Sequence, residues 1–557
     1  MARTIRSDRS CWLDLLSQAL RHALVIPRRR GASLVTGLVL AVATWRAGEV
    51  HAAAHRPNFL VILADDLGFS DVGCYGGEIP TPHIDRLAAG GVRFTQFYNT
   101  GRCWPSRAAL MSGHYPQQVR MDPPRGRLPT WARLLPHHLR PAGYRSYHAG
   151  KWHVMGAPKV VADGGFDRSY VVHDHDRNFG PRSHALDDQP LPPANPASGY
   201  YTSTEYATRM VGFLKDHARD HAGQPFLAYL AFTAPHFPLQ APAADIARHM
   251  GRYDVGWDFI RDRRWVRSLE LGLFKGENAP AEPGVVPHWN LADAELRRQL
   301  GPDEVARAVP WNPLSAEEKR FQATKMAIHA AMVERMDSEI GRVLEQLRAM
   351  DAWEDTVVFF ASDNGASAEF LNRGDRHDPG SAPGSAASFL CLGPGWSSAA
   401  NTPFRLHKSW VHEGGIATPA IVHWPRGLKS AGGLRRTPAH LVDVVPTLLE
   451  AAGVASALPA GAPPLPGRSL VPALAADVPV ARDFLYFHHE HNRALRVGDW
   501  KIVTRRPATN DWSLYHLGDD RAEQVDLASK EPARLRRMAG EWERITRQFA
   551  ADADGSP

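Results

Sequence analysis

The chain has 557 residues, enough for one large or two medium domains, and 44% hydrophobic with 22% charged residues excludes disorder throughout. Lys and Arg number 65 against 59 acids, but eight Arg and three acids fall in residues 1–54, so the remainder keeps about +1 of the total +6. A body so near neutrality has no net pull on a phosphate backbone, which argues against a nucleic-acid partner. The 46 Gly and 44 Pro imply many turns and long loops, as in an enzyme with a loop-built site.

Residues 1–54 have the layout of an export signal. Pro27-Arg28-Arg29-Arg30 precedes a mildly apolar run, Ala32 to Trp45, and then the small residues Ala52-Ala53-Ala54. The run is too short, and too rich in Gly, Ala and Thr, to span a bilayer comfortably. A periplasmic or secreted protein is therefore expected, with no stable membrane insertion. The long basic region with paired Arg suggests the twin-arginine route. Cys11 leaves with the leader, so Cys74, Cys103 and Cys391 allow at most one bridge.

The next segment, Asn58 to Ala64, is a continuous apolar run bounded by Pro57 and Asp65-Asp66. Such runs are strands buried on both faces. Phe226 to Phe232, Val357 to Ala361 and Ala420 to Trp424 repeat the pattern. Ala327 to Met350 is a helix, with Ile328, Met332, Met336, Ile340, Leu344 and Leu347 on one stripe. Strands alternating with helices predict an α/β fold with its sheet sandwiched by helices. Residues 180–200 and 371–400 read as surface loops, and Ala455 to Pro472 as a connector. Beyond it, Phe484 to Phe487, Ala494 to Val497, Trp500 to Val503 and Asp511 to Tyr515 alternate with polar turns. With a helix over Pro532 to Phe549, they predict a small antiparallel sheet plus helix. The expected division is a leader at 1–54, an α/β domain at 55–480 and a small α+β subdomain at 481–557.

Asp65-Asp66 and Asp363-Asn364 each follow a buried strand, where ligands collect in an open α/β sheet. Each pair alone reads as a turn former. Together they offer hard oxygen ligands to one cation, which favours Ca²⁺ or Mg²⁺ over Zn²⁺. Cys103-Trp104-Pro105-Ser106-Arg107, running on to Ser112-Gly113, resembles the signature of the sulfatase family. Further elements follow in the family's order: Gly150-Lys151-Trp152-His153, Thr233 to His236, Ser362 to Gly365, Asn401 to Lys408 with Glu413-Gly414-Gly415, and Arg493 to Lys501 with Trp512 to Leu517. The resemblance spans about residues 57 to 550, and bacterial arylsulfatases are the most similar branch. Met111-Ser112 in place of Leu-Thr, and Val154-Met155 after the Lys-x-His element, are departures that touch no chemical group.

The resemblance implies an alkaline-phosphatase-like fold with a large mixed sheet. It also implies that a formylglycine-generating enzyme oxidises Cys103 to formylglycine. Asp65, Asp66, Asp363, Asn364 and the modified Cys103 would hold the metal, Ca²⁺ ahead of Mg²⁺. One hydroxyl of the hydrated formylglycine would attack sulfur to give a covalent sulfo-enzyme, and the other would then expel sulfate. Arg107 would orient the hydrate, Lys151 and Lys408 would hold sulfate oxygens, His236 would protonate the departing alcohol, and His153 would serve as base for the collapse. The expected activity is hydrolysis of sulfate monoesters. Rival readings are a phosphonate or phosphodiester hydrolase on the same fold, a sulfated-glycan sulfatase, and a non-catalytic binder of sulfated ligands.

Small aryl or alkyl sulfates are the expected substrates, because a polyanionic glycan needs clustered cations beyond the catalytic set. The main cluster, Arg261 to Arg267, has Asp258, Asp262 and Glu270 around it. The same insert holds Phe237, Tyr253, Trp257, Phe259 and Trp265, which either line a flat apolar pocket beside His236 or pack the insert on the domain.

Overall fold

The computed structural model describes residues 56–371, 376–504 and 511–555; the predicted leader lies outside them. The large sheet contains β1 (Asn58–Asp65), β2 (Val92–Tyr98), β3 (Arg145–Gly150), β4 (Arg168–Val172), β5 (His184–Leu186), β6 (Gln189–Pro190), β7 (Phe226–Pro235), β8 (Thr356–Ser362), β9 (Ala417–His423), β10 (Gly433–Arg435) and β11 (Ala439–His440). Their order is β10-β2-β9-β8-β1-β7-β3-β4-β5-β6, with β11 also paired to β2. The centre is parallel: β8, β1, β7, β3 and β4 run the same way. β9 runs against both β8 and β2, and β5 against β4, so the sheet is mixed as expected.

The centre is covered on both faces, which is why its strands read as unbroken apolar runs rather than alternating ones. Leu60, Ile62 and Ala64 share a core with Tyr206, Met210 and Phe213 of one helix (Thr202–Asp220) and Met326, Met332 and Met336 of another (Ala316–Ala349). Phe59, Val61 and Leu63 join the opposite core, with Leu110 and Met111 of helix Cys103–Ser112 and Val445 and Leu448 of helix Val444–Ala452.

Several boundaries differ from the expectation. The long helix begins at Ala316 rather than Ala327, and a reciprocal cap starts it: Ser315 Oγ accepts from Glu318 N, and Glu318 Oε2 from Ser315 N. Its first turns are polar and exposed, so apolar periodicity starts late. The loops at 180–200 and 371–400 are not wholly irregular, since the first contains β5 and β6 and the second ends in a buried helix, Pro394–Ala400. Cys74, Cys103 and Cys391 are all free thiols. Among the described residues, no helix is long and apolar enough to cross a membrane.

The second sheet is an antiparallel meander of β12 (Leu485–His489), β13 (Asn492–Val497), β14 (Trp500–Thr504) and β15 (Ser513–His516). The helix Pro532–Asp554 covers it with Met538, Trp542, Ile545 and Phe549, and Ala109, Tyr115 and Val442 enter the same core. A buried ionic joint adds to this packing. Lys501 Nζ of β14 lies 3.0 Å from Glu413 and 2.7 Å from Glu523, with all three side chains fully buried. Arg521 lies 3.1 Å from Glu413, and Tyr98 donates to it at 2.9 Å.

Removing the ammonium takes away the cation that buried Glu413 and Glu523 share. Lys501→Met is therefore expected to destabilise the protein by about 3–5 kcal/mol. Chemical denaturation of both proteins measures this, and a loss under ~1 kcal/mol would show that the joint contributes little.

Candidate active site

The site forms where β8, β1, β7 and β3 end side by side. Parallel register pairs Ala64 with Ser362 and Gly150 with Ala231. Asp65-Asp66 and Asp363-Asn364 therefore leave adjacent strands at the same height, with His236 and Lys151 following on the next two. Local backbone needs are strict. A Cβ on Gly150, whose φ is +132°, would fall 1.8 Å from Ala231 O, and one on Gly365 would fall 1.9 Å from Gly414 O. Asp66 and His153 hold positive φ values of 62° and 55°.

Cys103 opens its helix and is buried, with Arg102 as the N-cap residue. The unpaired N–H groups there favour negative charge, an ordinary anion-binding feature. Ser106 Oγ ties the helix start to Thr100 by accepting from its N–H at 3.0 Å. Arg107, one turn on, is fully buried and spreads its guanidinium over four acceptors. Nε meets Asp363 Oδ2 at 2.8 Å, Nη1 donates to Lys151 O at 2.7 Å, and Nη2 reaches Phe232 O at 3.3 Å and Asp65 at 3.5 Å. So saturated a group is an immobile support.

Lys151 Nζ lies 2.5 Å from Asp65 Oδ2, and Lys408 Nζ lies 2.8 Å from Asp66 and 3.1 Å from Glu369. Asn364 Nδ2 donates to Asp66 Oδ1 at 2.6 Å. Two buried acceptors, Asp65 Oδ1 and Asn364 Oδ1, have no hydrogen-bond partner. His236 Nδ1 donates to Phe237 O at 2.5 Å, which leaves Nε2 facing Asp66 at 3.7 Å. The His175 ring stands between those of His153 and His236, at 5.4 and 5.5 Å, and a cavity of about 220 Å³ opens over Lys151, His153 and His175.

The electrostatics follow from dense charge in a dry place. Burial opposes ionisation of Asp65, yet Lys151, Arg107 and Lys408 hold it below the usual carboxylate range. Asp363 is pushed up to about 7, first by burial and then by the charge on Asp65. Glu369 is held down at about 2 against its burial by Arg102 and Lys408. Burial raises the Cys103 thiol. The imidazoles of His236 and His153 fall well below the ordinary range, through burial and then Lys408 for the first and Lys151 for the second.

All ten sequence-derived positions thus meet: Asp65, Asp66, Cys103, Arg107, Lys151, His153, His236, Asp363, Asn364 and Lys408. Glu369, Arg102 and His175 were not foreseen. Glu369 is buried and bridges Lys408 to Arg102, whose Nη1 lies 2.6 Å from it. Nothing in the spacing of Glu369 marks it, whereas Arg102 directly precedes Cys103.

The aromatic insert packs rather than lines the site. Tyr253 and Trp257 are buried against Trp396, Phe259 is 52% exposed, and Trp265 donates to Gly276 O. Of these rings only Phe237 lies at the site, against His236 and 5.3 Å beneath Lys408 Nζ. The cluster Arg261 to Arg267 is partly internal as well, since buried Arg264 pairs with Asp71 and Glu78.

Residues 57–454 match the family model described as Sulfatase. The chain is 32% identical over 547 residues to an uncharacterized sulfatase of Schizosaccharomyces pombe, covering 88% of this chain and 93% of that protein. It is also 32% identical over 456 residues to an arylsulfatase of Klebsiella aerogenes, covering 75% and 91%. Among solved structures, Ps i-CgsB in complex with k-i-k-neocarrahexaose superposes with a TM-score of 0.62 at 22% identity, over 90% of this chain and 94% of that one, a likeness of fold. With its strand-end acids, its cysteine-led helix and matched relatives along most of its length, the chain belongs to the sulfatase family and is a sulfuric ester hydrolase.

Proposed function

We propose that the chain is an exported arylsulfatase-type enzyme that hydrolyses small aryl or alkyl sulfate monoesters through formylglycine at position 103. The observation that carries this is a buried cysteine at a helix N-terminus, with two ammoniums and two imidazoles gathered around an oxygen-rich cluster. The leader layout supports export, and the relative in Klebsiella aerogenes is named an arylsulfatase.

A hard divalent cation suits the donor set. Asp65, Asp66, Asp363 and Asn364 supply oxygen alone, and Asp65 Oδ1 and Asn364 Oδ1 are buried acceptors without partners. Asp65, Asp66 and His236 also present ligand atoms within 4.8 Å of one another. We take Ca²⁺ ahead of Mg²⁺; held by Asp65, Asp66, Asp363 and Asn364, it would supply Lewis-acid polarisation at the reacting sulfate. Asp65, Asp66, Asp363 and Glu369 balance Arg102, Arg107, Lys151 and Lys408 in formal charge, so a divalent ion would leave the site positive and attractive to the single negative charge of a sulfate monoester.

Oxidation of Cys103 by a formylglycine-generating enzyme, with dioxygen as oxidant and loss of the thiol sulfur, would leave an aldehyde that water hydrates to a geminal diol; one hydroxyl would attack sulfur as the S–O bond to the leaving alcohol breaks, and the other would give up its proton as the aldehyde re-forms and sulfate leaves. Arg107 holds the helix start and Asp363 in place. Lys151 and Lys408 lie against Asp65 and Asp66; with those carboxylates engaged by a cation, the ammoniums serve the sulfate oxygens as compact point charges. His236, anchored through Nδ1, presents Nε2 to the leaving oxygen. Burial and Lys408 keep the resting ring neutral, so its role as acid relies on the negative charge of a bound sulfate ester to favour the protonated form. His153 is neutral and its Nδ1 has no partner, which suits a base for the collapse step.

Cys103→Ala should keep its fold and lose turnover of 4-nitrophenyl sulfate by at least about 10³-fold. Mass spectrometry of the peptide spanning Cys103 from active protein should show formylglycine, and a thiol alone in fully active enzyme would refute the assignment.

Metal binding should depend on pH through Asp363. Its folded-state pKa near 7 is raised, so in metal-free protein its contribution to stability is full below the unfolded value and lost as pH rises through 7. A bound cation removes that loss. Added Ca²⁺ should therefore raise the Tm more at pH 8 than at pH 5.5, and bind more weakly at the lower pH. Equal increments at both pH values, or stoichiometric zinc in purified protein, would contradict the proposed site.

A further inference from the structure

Glu369 is a fully buried carboxylate beside the reacting centre, and it stands outside the oxygen donor set. Burying such a charge is costly unless partners compensate it, so its partners are informative. Oε1 lies 2.6 Å from Arg102 Nη1, and Oε2 lies 3.1 Å from Lys408 Nζ. Ser367 Oγ donates to Oε2 at 3.0 Å. Each oxygen thus serves one cation, and the carboxylate spans the two as a strut.

The Arg102 end of that strut is braced. Its guanidinium lies 5.1 Å from the rings of both Trp104 and Trp289, and Nη1 also donates to Ser409 Oγ at 2.5 Å. The backbone ties the same three segments together. Lys408 N donates to Ala366 O at 3.1 Å, and Ser409 N to Gly101 O at 2.7 Å. The segments that carry Cys103, Asp363 with Asn364, and Lys408 therefore converge on one side chain.

The Lys408 end is different. Its ammonium has a second anionic partner, Asp66, whose oxygens lie 2.8 and 2.9 Å away. Asp66 belongs to the donor set, so a cation held there competes for both oxygens. Glu369 has its oxygens on Arg102, Ser367 and Lys408 instead. A lysine stem is flexible, and an ammonium released by one carboxylate needs another to keep its place.

We infer that Glu369 is a positioning residue: braced by Arg102, it keeps Lys408 Nζ where sulfate oxygens bind while Asp66 serves the cation. The inference rests on the reading of Lys408 as a sulfate-binding ammonium in a sulfatase.

The test uses the full-length protein with Ca²⁺ present and conversion of Cys103 confirmed by mass spectrometry. Turnover of 4-nitrophenyl sulfate is measured, and binding of inorganic sulfate is followed by calorimetry. Thermal melting checks that each variant folds. Glu369→Gln keeps the size of the side chain and removes its charge. It should lower kcat/KM about 30-fold and weaken sulfate binding about tenfold. In a Lys408→Ala background the same change should alter sulfate binding by less than about threefold, because the group it positions is gone. Glu369→Asp keeps the charge but withdraws it by one methylene, and should still lose at least about tenfold in kcat/KM. An equal effect of Glu369→Gln with and without Lys408, or full turnover in Glu369→Asp, would overturn the positioning role. Full turnover in Glu369→Gln would sink this inference alone. A wild-type protein that hydrolyses 4-nitrophenyl phosphate but not the sulfate would sink the reading beneath it.

Discussion

Asp65, Asp66 and Asp363 are buried side by side, and no packing contact in the molecule offsets such a concentration of like charge. Everything around them is arranged to meet that repulsion. Arg107 spans Asp65 and Asp363, Lys151 holds Asp65, and Lys408 holds Asp66. Each of these cations is itself buried beside the carboxylates it pairs with. Compensation by lysine also leaves the site poised for ligands. An ammonium on a flexible stem can change partners, whereas the guanidinium of Arg107 is locked to four acceptors. The locked cation lies beneath the site, and the two ammoniums approach its acids from β3's end and from the 401–408 segment.

The second sheet takes part in this arrangement. Glu413 lies five residues after Lys408 and is gripped by Lys501, Arg521 and Tyr98 in a fully buried joint. Gly414 and Gly415 next to it pack so closely that a Cβ on either would fall within 2.3 Å of a carbonyl oxygen. The segment that carries Lys408 is thus clamped at its far end by the terminal meander. Glu369 steadies Lys408 at its near end while binding Arg102. The terminal sheet therefore bears on the chemistry through the placement of one ammonium, although none of the ten sequence-derived site residues belongs to it.

The central strands were legible because burial on both faces makes the chain apolar without interruption, as from Asn58 to Ala64. The site was legible for a related reason. The acids, Lys151 and both histidines follow strand ends, Cys103 and Arg107 lie in the first turns of one helix, and Lys408 follows the helix Pro394–Ala400, so each sits in a short contiguous motif. The residues that escaped notice act across long sequence distances. Glu369 meets Arg102 only after the chain has folded. The aromatic insert shows a different limit. Composition identified Tyr253, Trp257 and Phe259 as large rings but not the face each would present, and helix Gly256–Glu270 turns Trp257 inward and Phe259 outward.

That same helix bears on the reading of charge. Arg261 to Arg267 looks basic along the chain, yet Arg261 and Arg264 are buried, the latter held by Asp71 and Glu78. Lys325 is fully buried against Glu304, and Lys501 against Glu413 and Glu523. Arg264, Lys325 and Lys501 are thus matched by acids, and pairs of this kind contribute almost no field at the surface. A dense polyanion approaching the site finds no basic stripe from this helix to follow.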